Sequence, residues 1–397
     1  MPTTWGDVTG DLDDRCRLVL GDGEDIAFAL SYEVHRSILT QPGTFTLRFG
    51  WSDVLRGLIA RCTPNKKFQL FVGATCVQTG TLDGYEATSD GGSGGTLTVH
   101  GRDILAPLHD AFIEVETSFA DSTYFDMVNQ AVNEVYGIPN APTLFGTNDT
   151  NRKLTTGIGV KPLKPGVDPA QNTTGPTAKQ IKTRIGERVY EFLKRQLDRA
   201  GLFLWAAGDG SLVISAPNGN QKPIYQILRE RDQTRNAVNV TTAHWRNSTE
   251  GRYTNATVYG RGGGRKFGRS KVNGSFVDTE MSGWFGDDAR PLVLRDVNVS
   301  NAEQAAFYAR RKLAETRRAG WSLTYTVAGH TIPSLATNSR AVWAPDTVVS
   351  VRDDELGLEG NYYIEAVTFR RNPSTTTELH LMRGDDLVFA VGESEGT

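Results

Sequence analysis

The sequence predicts a mainly β protein in which two β-barrel domains in one chain flank an α+β insert. Three observations lead there. Short runs that alternate apolar with polar residues recur about every ten residues over the first hundred positions and again after about residue 235, the pattern of half-buried antiparallel strands. Between these parts the apolar period lengthens to that of amphipathic helices. Glycine (42) and proline (16) together exceed the ~12% average share, as many turns between short strands require.

The first domain is assigned to 1–115. Cys16-Arg17-Leu18-Val19-Leu20 ends in Gly21-Asp22-Gly23, and Phe45-Thr46-Leu47-Arg48-Phe49 alternates after the Pro42-Gly43 turn. Phe68 to Val72, Val77 to Leu82 and Gly95 to Val99 continue the series. The segment 89–95, with Asp90-Gly91-Gly92 and Gly94-Gly95, reads as a hairpin tip. Backbone N–H groups at Gly91 and Gly92 could hold an anion or a partner, but no helix follows to strengthen an anion site.

The middle domain, 116–235, changes period. Asp121 or Ser122 caps a helix that places Phe125, Val128, Val132 and Val135 on one face, and Gly137 with Pro139 stops it. The stretch 147–177, rich in Pro, Gly, Thr and Lys, is a linker or exposed loop. A second helix is expected over 179–200, with Ile181, Ile185, Val189, Phe192 or Leu193, and Leu197 on one stripe and Gly201 as its left-handed cap. Leu202 to Trp205 and Ser211 to Ile214 then flank Gly208-Asp209-Gly210 as a small hairpin.

The third domain, 236–397, returns to strands. Thr257-Val258-Tyr259-Gly260 enters a glycine-rich loop, and Leu292 to Val297 is a further apolar run. Ser300 and Glu303 form a capping box for a helix over 301–318, whose Ala302, Ala305, Ala306, Ala309 and Leu313 make a narrow stripe able to lie close to a sheet. The alternation resumes at Trp321 to Val327, Ala341 to Trp343, Val348 to Val351, Tyr362 to Phe369 and Glu378 to Met382. The two β-rich parts rhyme in strand number and turn placement without a residue-by-residue repeat.

Charge narrows the function classes. With 43 Lys+Arg against 46 Asp+Glu the formal charge is -3, which disfavours a dedicated nucleic-acid binder. The start carries no basic-then-apolar leader, and no apolar run is long enough to span a membrane. Three scattered cysteines without a CxxC pair, and six separated histidines, speak against a disulfide scaffold, a zinc site or any cofactor, and reduced cysteines fit synthesis in the cytosol.

The most conspicuous string is Gly260 to Arg269. Arg261, Arg265, Lys266 and Arg269 could meet an acidic partner or a nucleic-acid backbone, but neither a Walker loop nor a dinucleotide fingerprint is present, and a mobile loop is the plainer reading. The acidic pairs at Asp287-Asp288, Asp353-Asp354-Glu355 and Asp385-Asp386 sit by turn residues and read as solvated turns rather than as the carboxylates of a glycosidase. No nucleophile elbow occurs, and no catalytic residue is assigned.

The run Leu97-Thr98-Val99-His100-Gly101-Arg102-Asp103-Ile104-Leu105 resembles the strand and Gly-Arg-Asp/Ser turn of baseplate hub proteins from Mu-like contractile-tailed bacteriophages. Thr79-Gly80-Thr81-Leu82-Asp83, Pro42-Gly43-Thr44-Phe45-Thr46-Leu47, Trp343-Ala344-Pro345 and Gly360-Asn361-Tyr362-Tyr363-Ile364 resemble further strands of that family, in the same order, from about Arg15 to Leu387. The resemblance implies two barrels of the tail-tube type and a homotrimeric ring of pseudo-six-fold symmetry. That ring would join a trimeric spike to a hexameric tail tube, contact other baseplate proteins and leave a channel for phage DNA. It implies a virion protein of the tail baseplate, assembled in the host cytoplasm, with no enzyme activity. Gly101, Arg102 and Asp103 would form a structural turn in which Arg102 braces the barrel through a local carboxylate. The Arg261 to Arg269 loop and the 147–177 stretch have no match in the family. A tail-associated cell-wall hydrolase or carbohydrate-binding protein is the alternative from another class, and a nucleic-acid binder acting through the basic loop is the third.

Overall fold

The computed structural model describes residues 14–50 except 24 and 28, 57, 60–90, 94–119, 122–146, 181–231, 240–260, 272–296, 299, and 302–386 except 338. The 147–177 stretch, the hairpin tip at Gly91 and Gly92, the loop carrying Arg261, Arg265, Lys266 and Arg269, and the Ser300 cap lie outside these residues.

The first β lobe contains β1 (Cys16–Leu20), β2 (Asp25–Ile26), β3 (Ser31–Ser37), β4 (Thr44–Gly50), β5 (Lys67–Val72), β6 (Thr75–Asp90) and β7 (Gly94–Asp103). They pair in the order β3-β4-β7-β6-β5-β1-β2, all antiparallel. Alternation in sequence becomes alternation of burial: β4 buries Phe45, Leu47 and Phe49 and turns Thr44, Thr46 and Arg48 outward. A Cβ on Gly80 would collide with the Arg102 carbonyl, so glycine is required where β6 crosses β7. Gly101, Arg102 and Asp103 are the last residues of strand β7 and not a turn; the chain turns only after them, into α1 (Ala106–Asp110).

A middle unit follows: β8 (Ser118–Phe119), α2 (Tyr124–Tyr136), β9 (Leu144–Gly146), β10 (Ile181–Lys182), α3 (Val189–Ala200), β11 (Phe203–Ala206) and β12 (Leu212–Ser215). Thr123, rather than Asp121 or Ser122, caps α2, because its hydroxyl accepts the Asp126 N–H while the Asp126 carboxylate accepts the Thr123 N–H. The second helix begins ten residues later than its apolar stripe implied. Ile181 pairs in a strand with Phe119, and Gly186, at φ 79°, turns the chain before Val189. Gly201 ends α3 in the left-handed conformation, as its sequence position predicts.

The remaining elements are β13 (Tyr225–Arg229), β14 (Val240–Asn247), β15 (Asn255–Tyr259), β16 (Asn273–Val277), α4 (Thr279–Phe285), β17 (Pro291–Arg295), α5 (Ala302–Gly320), β18 (Trp321–Ala328), β19 (Thr331–Pro333), β20 (Arg340–Val342), β21 (Thr347–Asp353), β22 (Leu358–Arg371) and β23 (Thr375–Arg383). Strands β16-β15-β17 form a separate three-stranded sheet against which α5 lies. The small-residue stripe does what its composition allows: Ala305, Ala309 and Leu313 pack on Ala256 and Val258, and Gly274 leaves room for the Ala306 backbone. Strand β13, although it lies within 116–235, runs parallel to β21 and buries Tyr225 and Ile227 in the β core.

The second lobe is ordered β14-β18-β23-β22, with β21 and then β13 on the other side of β22. A bulge between Ile364 and Ala366 divides β22. Its first half pairs with β21, and its second half pairs with β3 of the first lobe, Phe369 against Val34 and Ala366 against Ser37. The two lobes are thereby one thirteen-stranded sheet, and a single apolar core runs from Leu18 and Phe68 to Tyr325 and Leu379.

Candidate functional site

The junction of β3 with β22 is where distant parts of the chain are held in one geometry, and buried polar groups hold it. Tyr32 on β3 donates its hydroxyl to His330 Nε2 at 2.8 Å, and His330 Nδ1 meets Thr377 Oγ1 at 2.8 Å. Thr377 spends its own proton on the Gly329 carbonyl at 2.7 Å, so its oxygen must accept from Nδ1–H. That assigns the tautomer: proton on Nδ1, lone pair on Nε2 facing Tyr32. The imidazole is fully buried and lies edge-on to Phe369, and burial lowers its pKa to about 4, keeping it neutral. Asp14 joins the group by accepting the His330 backbone N–H.

On the opposite face of the same strands Arg370 lies between two carboxylates, Glu33 of β3 at 3.0 Å and Glu378 of β23. His35 Nδ1 is 2.9 Å from Thr368 Oγ1, and burial together with nearby His380 lowers the His35 pKa. One face thus ties β3 to β22 and β22 to β23 directly, and the other links β3 to β23 through His330.

Arg102 makes a double fork. Its Nε and Nη2 donate to Asp83 at 2.8 and 2.9 Å, and its Nη1 and Nη2 donate to Asp110 at 3.0 and 2.7 Å. These bonds, first to Asp110 and then to Asp83, raise its pKa and lock the β6 bulge to helix α1. Asp103 is buried, accepting the Gly43 N–H at 2.6 Å and the Leu105 N–H at 2.9 Å; desolvation still raises its pKa to about 6.

Two of the acidic pairs are not solvated turns. Asp353 is 1% exposed, accepting from Tyr325 Oη at 2.9 Å and from the Glu355 and Leu356 N–H groups, while Asp354 faces solvent. Adjacent residues of a strand end point apart, so they do not form a catalytic pair. Asp386 is fully buried against Arg383 and Arg317. Tyr325 and Arg317 come from distant elements, which sequence spacing does not reveal. Asp287 and Asp288 are exposed as expected. Among the described residues no group of three or more His, Cys, Asp or Glu side chains is placed to hold a metal ion, and no helix is long and apolar enough to cross a membrane.

No family model matches the sequence, and no curated protein does. Solved structures do. The chain is similar to the 43 kDa tail protein of prophage MuSo2 from Shewanella oneidensis, with a TM-score of 0.72 and 21% identity over 94% of this chain and 99% of the other. It is similar to the tail protein from Neisseria meningitidis, with a TM-score of 0.72 and 20% identity over 94% and 98%. A further match is an Escherichia coli component of the type VI secretion system, itself described as structurally similar to the T4 bacteriophage tail proteins gp27 and gp5; there the TM-score is 0.53 and the identity 11%, over 94% and 79%. The chain has the fold of these tail proteins.

Proposed function

We propose that this protein is the structural hub subunit of a contractile phage tail baseplate. Three copies close into a ring in which six β lobes give pseudo-six-fold symmetry, joining a trimeric spike to a hexameric tail tube around a channel for DNA ejection. The observation that carries this reading is the fusion of two β lobes into one sheet and one core, within a fold matched over 94% of the chain by a prophage tail protein and by a second tail protein. Lobes that share a core keep a fixed mutual orientation, which a ring alternating between two lobe types requires. Closed three-fold symmetry explains why growth stops at one ring. Among the described residues β2 is an outer strand paired on one side only, the side on which a neighbouring copy would add a strand.

The role is structural rather than enzymatic, located in the virion tail, with the spike, the tube proteins and other baseplate proteins as partners and DNA in transit. The test is the native mass at micromolar concentration. A particle of about 130 kDa, three times the 43.4 kDa chain, is expected. A protein that stays monomeric both in solution and in assembled tails would refute the hub.

A further inference from the structure

We infer that the cleft between helices α3 and α5 is a binding site for a small organic oxyanion, a carboxylate or a phosphate monoester carried on an apolar body. The proposal stands apart from the ring reading above. Helical spacing builds the two charged walls: Lys194 and Asp198 stand one turn apart on α3, and Arg311, Glu315 and Arg318 follow at i, i+4 and i+7 on α5. Leu202 and Phe203, from the chain leaving α3, and Ile38 and Leu39, just after β3, add apolar lining. The cleft encloses about 300 Å³ where the middle unit meets α5 and the end of β3. Small-molecule sites favour such meeting places and such a mixture of apolar wall and few charges.

Charge singles the cleft out. Four cations line it, Lys194, Arg311, Lys312 and Arg318, against two carboxylates, Asp198 and Glu315, in a chain whose formal charge is -3. Both carboxylates are engaged. Asp198 is bonded across to Arg311 Nη2 at 2.8 Å, and Glu315 meets Lys312 Nζ at 2.6 Å and Arg311 Nε at 3.7 Å. Arg311 is 5% exposed, yet its Nη1 has no hydrogen-bond partner. Lys194 makes no ion pair among the described residues, although Asp198 stands one turn away. Arg318 Nη1 donates to a neutral acceptor, the Asp386 carbonyl, at 2.8 Å. The acids whose charge reaches Arg318 are committed elsewhere or weakened: Asp386 pairs with Arg317 and Arg383, Glu315 with Lys312, and burial raises the pKa of Glu365. Burial accordingly holds the Arg318 pKa below the usual arginine range. The adjoining hollow adds Arg195 but also Glu191 and Asp296 and is balanced, so the positive excess lies in the cleft lined by Arg318. Buried cations are normally paired. An oxyanion supplies the missing counter-charge, and the apolar lining takes its body.

The test is isothermal titration calorimetry of the full chain at fixed ionic strength with four probes: phenyl phosphate, benzoate, inorganic phosphate and benzyl alcohol. Saturable binding of phenyl phosphate or benzoate is expected, about tenfold tighter than that of inorganic phosphate or benzyl alcohol, which carry only the head or only the body. The tighter of the two aryl anions names the head group. K194M removes an exposed side chain that takes part in no ion pair and should weaken binding about fivefold. K194M/R318M should abolish it, and R352Q, at an exposed arginine on β21, should leave it unchanged. K194M decides alone if the double variant does not fold. The site is overturned by the absence of saturable binding to the parent, by an affinity unchanged in K194M, or by inorganic phosphate binding as tightly as phenyl phosphate.

Discussion

Acid should loosen the junction between the lobes through one residue, His330. Its folded-state pKa is about 4 against an ordinary 6.5, because a fully buried ring bonded to Tyr32 and Thr377 has no room for a second proton without losing the Tyr32 bond. Between these values the unfolded chain binds more protons than the folded one, so stability rises with pH across that window. The contribution is fully present above about pH 6.5 and is lost as the pH falls towards 4. At ~1.4 kcal/mol per pH unit, going from pH 7 to pH 5 costs about 2 kcal/mol from this group alone. Burial lowers the pKa of His35 and His109 too, and both act in the same direction, so the parent must be compared with a variant. His330→Gln keeps a donor and an acceptor but does not titrate. It should lose about 1–3 kcal/mol at pH 7 from lost ring packing, and its stability should fall by about 2 kcal/mol less than the parent's between pH 7 and pH 5. Denaturant unfolding followed by tryptophan emission includes the relevant lobe, since Trp321 stacks on Tyr362 and Trp343 packs at a tilt against Tyr225. Equal pH dependence in parent and variant would refute the neutral-imidazole account.

Three more perturbations probe other joints. Arg102→Met should lower stability by about 1–2 kcal/mol, since it removes a half-exposed double fork whose partners can still be hydrated; a thermal shift of a few degrees reads it, and no shift would mean that α1 docks without Arg102. Gly274→Ala drives a methyl group into the Ala306 backbone and should detach α5 from its sheet, seen as new protease cleavage there; Gly283→Ala, in an open position on α4, should leave the digest unchanged. Thr123→Ala removes one half of a capping box and should cost about 1 kcal/mol by denaturant unfolding, with fraying of α2 visible in amide exchange.

What the sequence made legible was whatever depends on neighbours along the chain. The alternation at Phe45 to Phe49, the αL cap at Gly201 and the alanine stripe of α5 are local signals, and each produced the element expected of it. The misplaced start of α3 has a local cause as well: Ile181 and Ile185 fall on the helical stripe by spacing, but Ile185 is 70% exposed beyond a paired Ile181. The rest was hidden because it depends on partners from other elements, from 28 to 298 residues away. Asp353 resembles its exposed neighbour Asp354 until Tyr325 is brought against it, and His330 resembles a turn residue until Tyr32 arrives from 298 positions upstream. No periodicity records such pairings.

The bulge in β22 explains how one chain can keep two lobes in register. A strand has only two edges, and one face-to-face neighbour on each would leave β22 serving β21 and β23 alone. The register of the β22–β23 ladder shifts between Ile364 and Ala366, and at the same position the opposite edge passes from β21, paired up to Ile364, to β3, paired from Ala366. Because Val367 and Phe369 follow directly and are both buried, the handover happens inside the common core. A hinge between the lobes would have to break the six-residue β3–β22 ladder and uncover that core at once. Mechanical load applied to one lobe therefore reaches the other through backbone hydrogen bonds, a property that the proposed connector role requires.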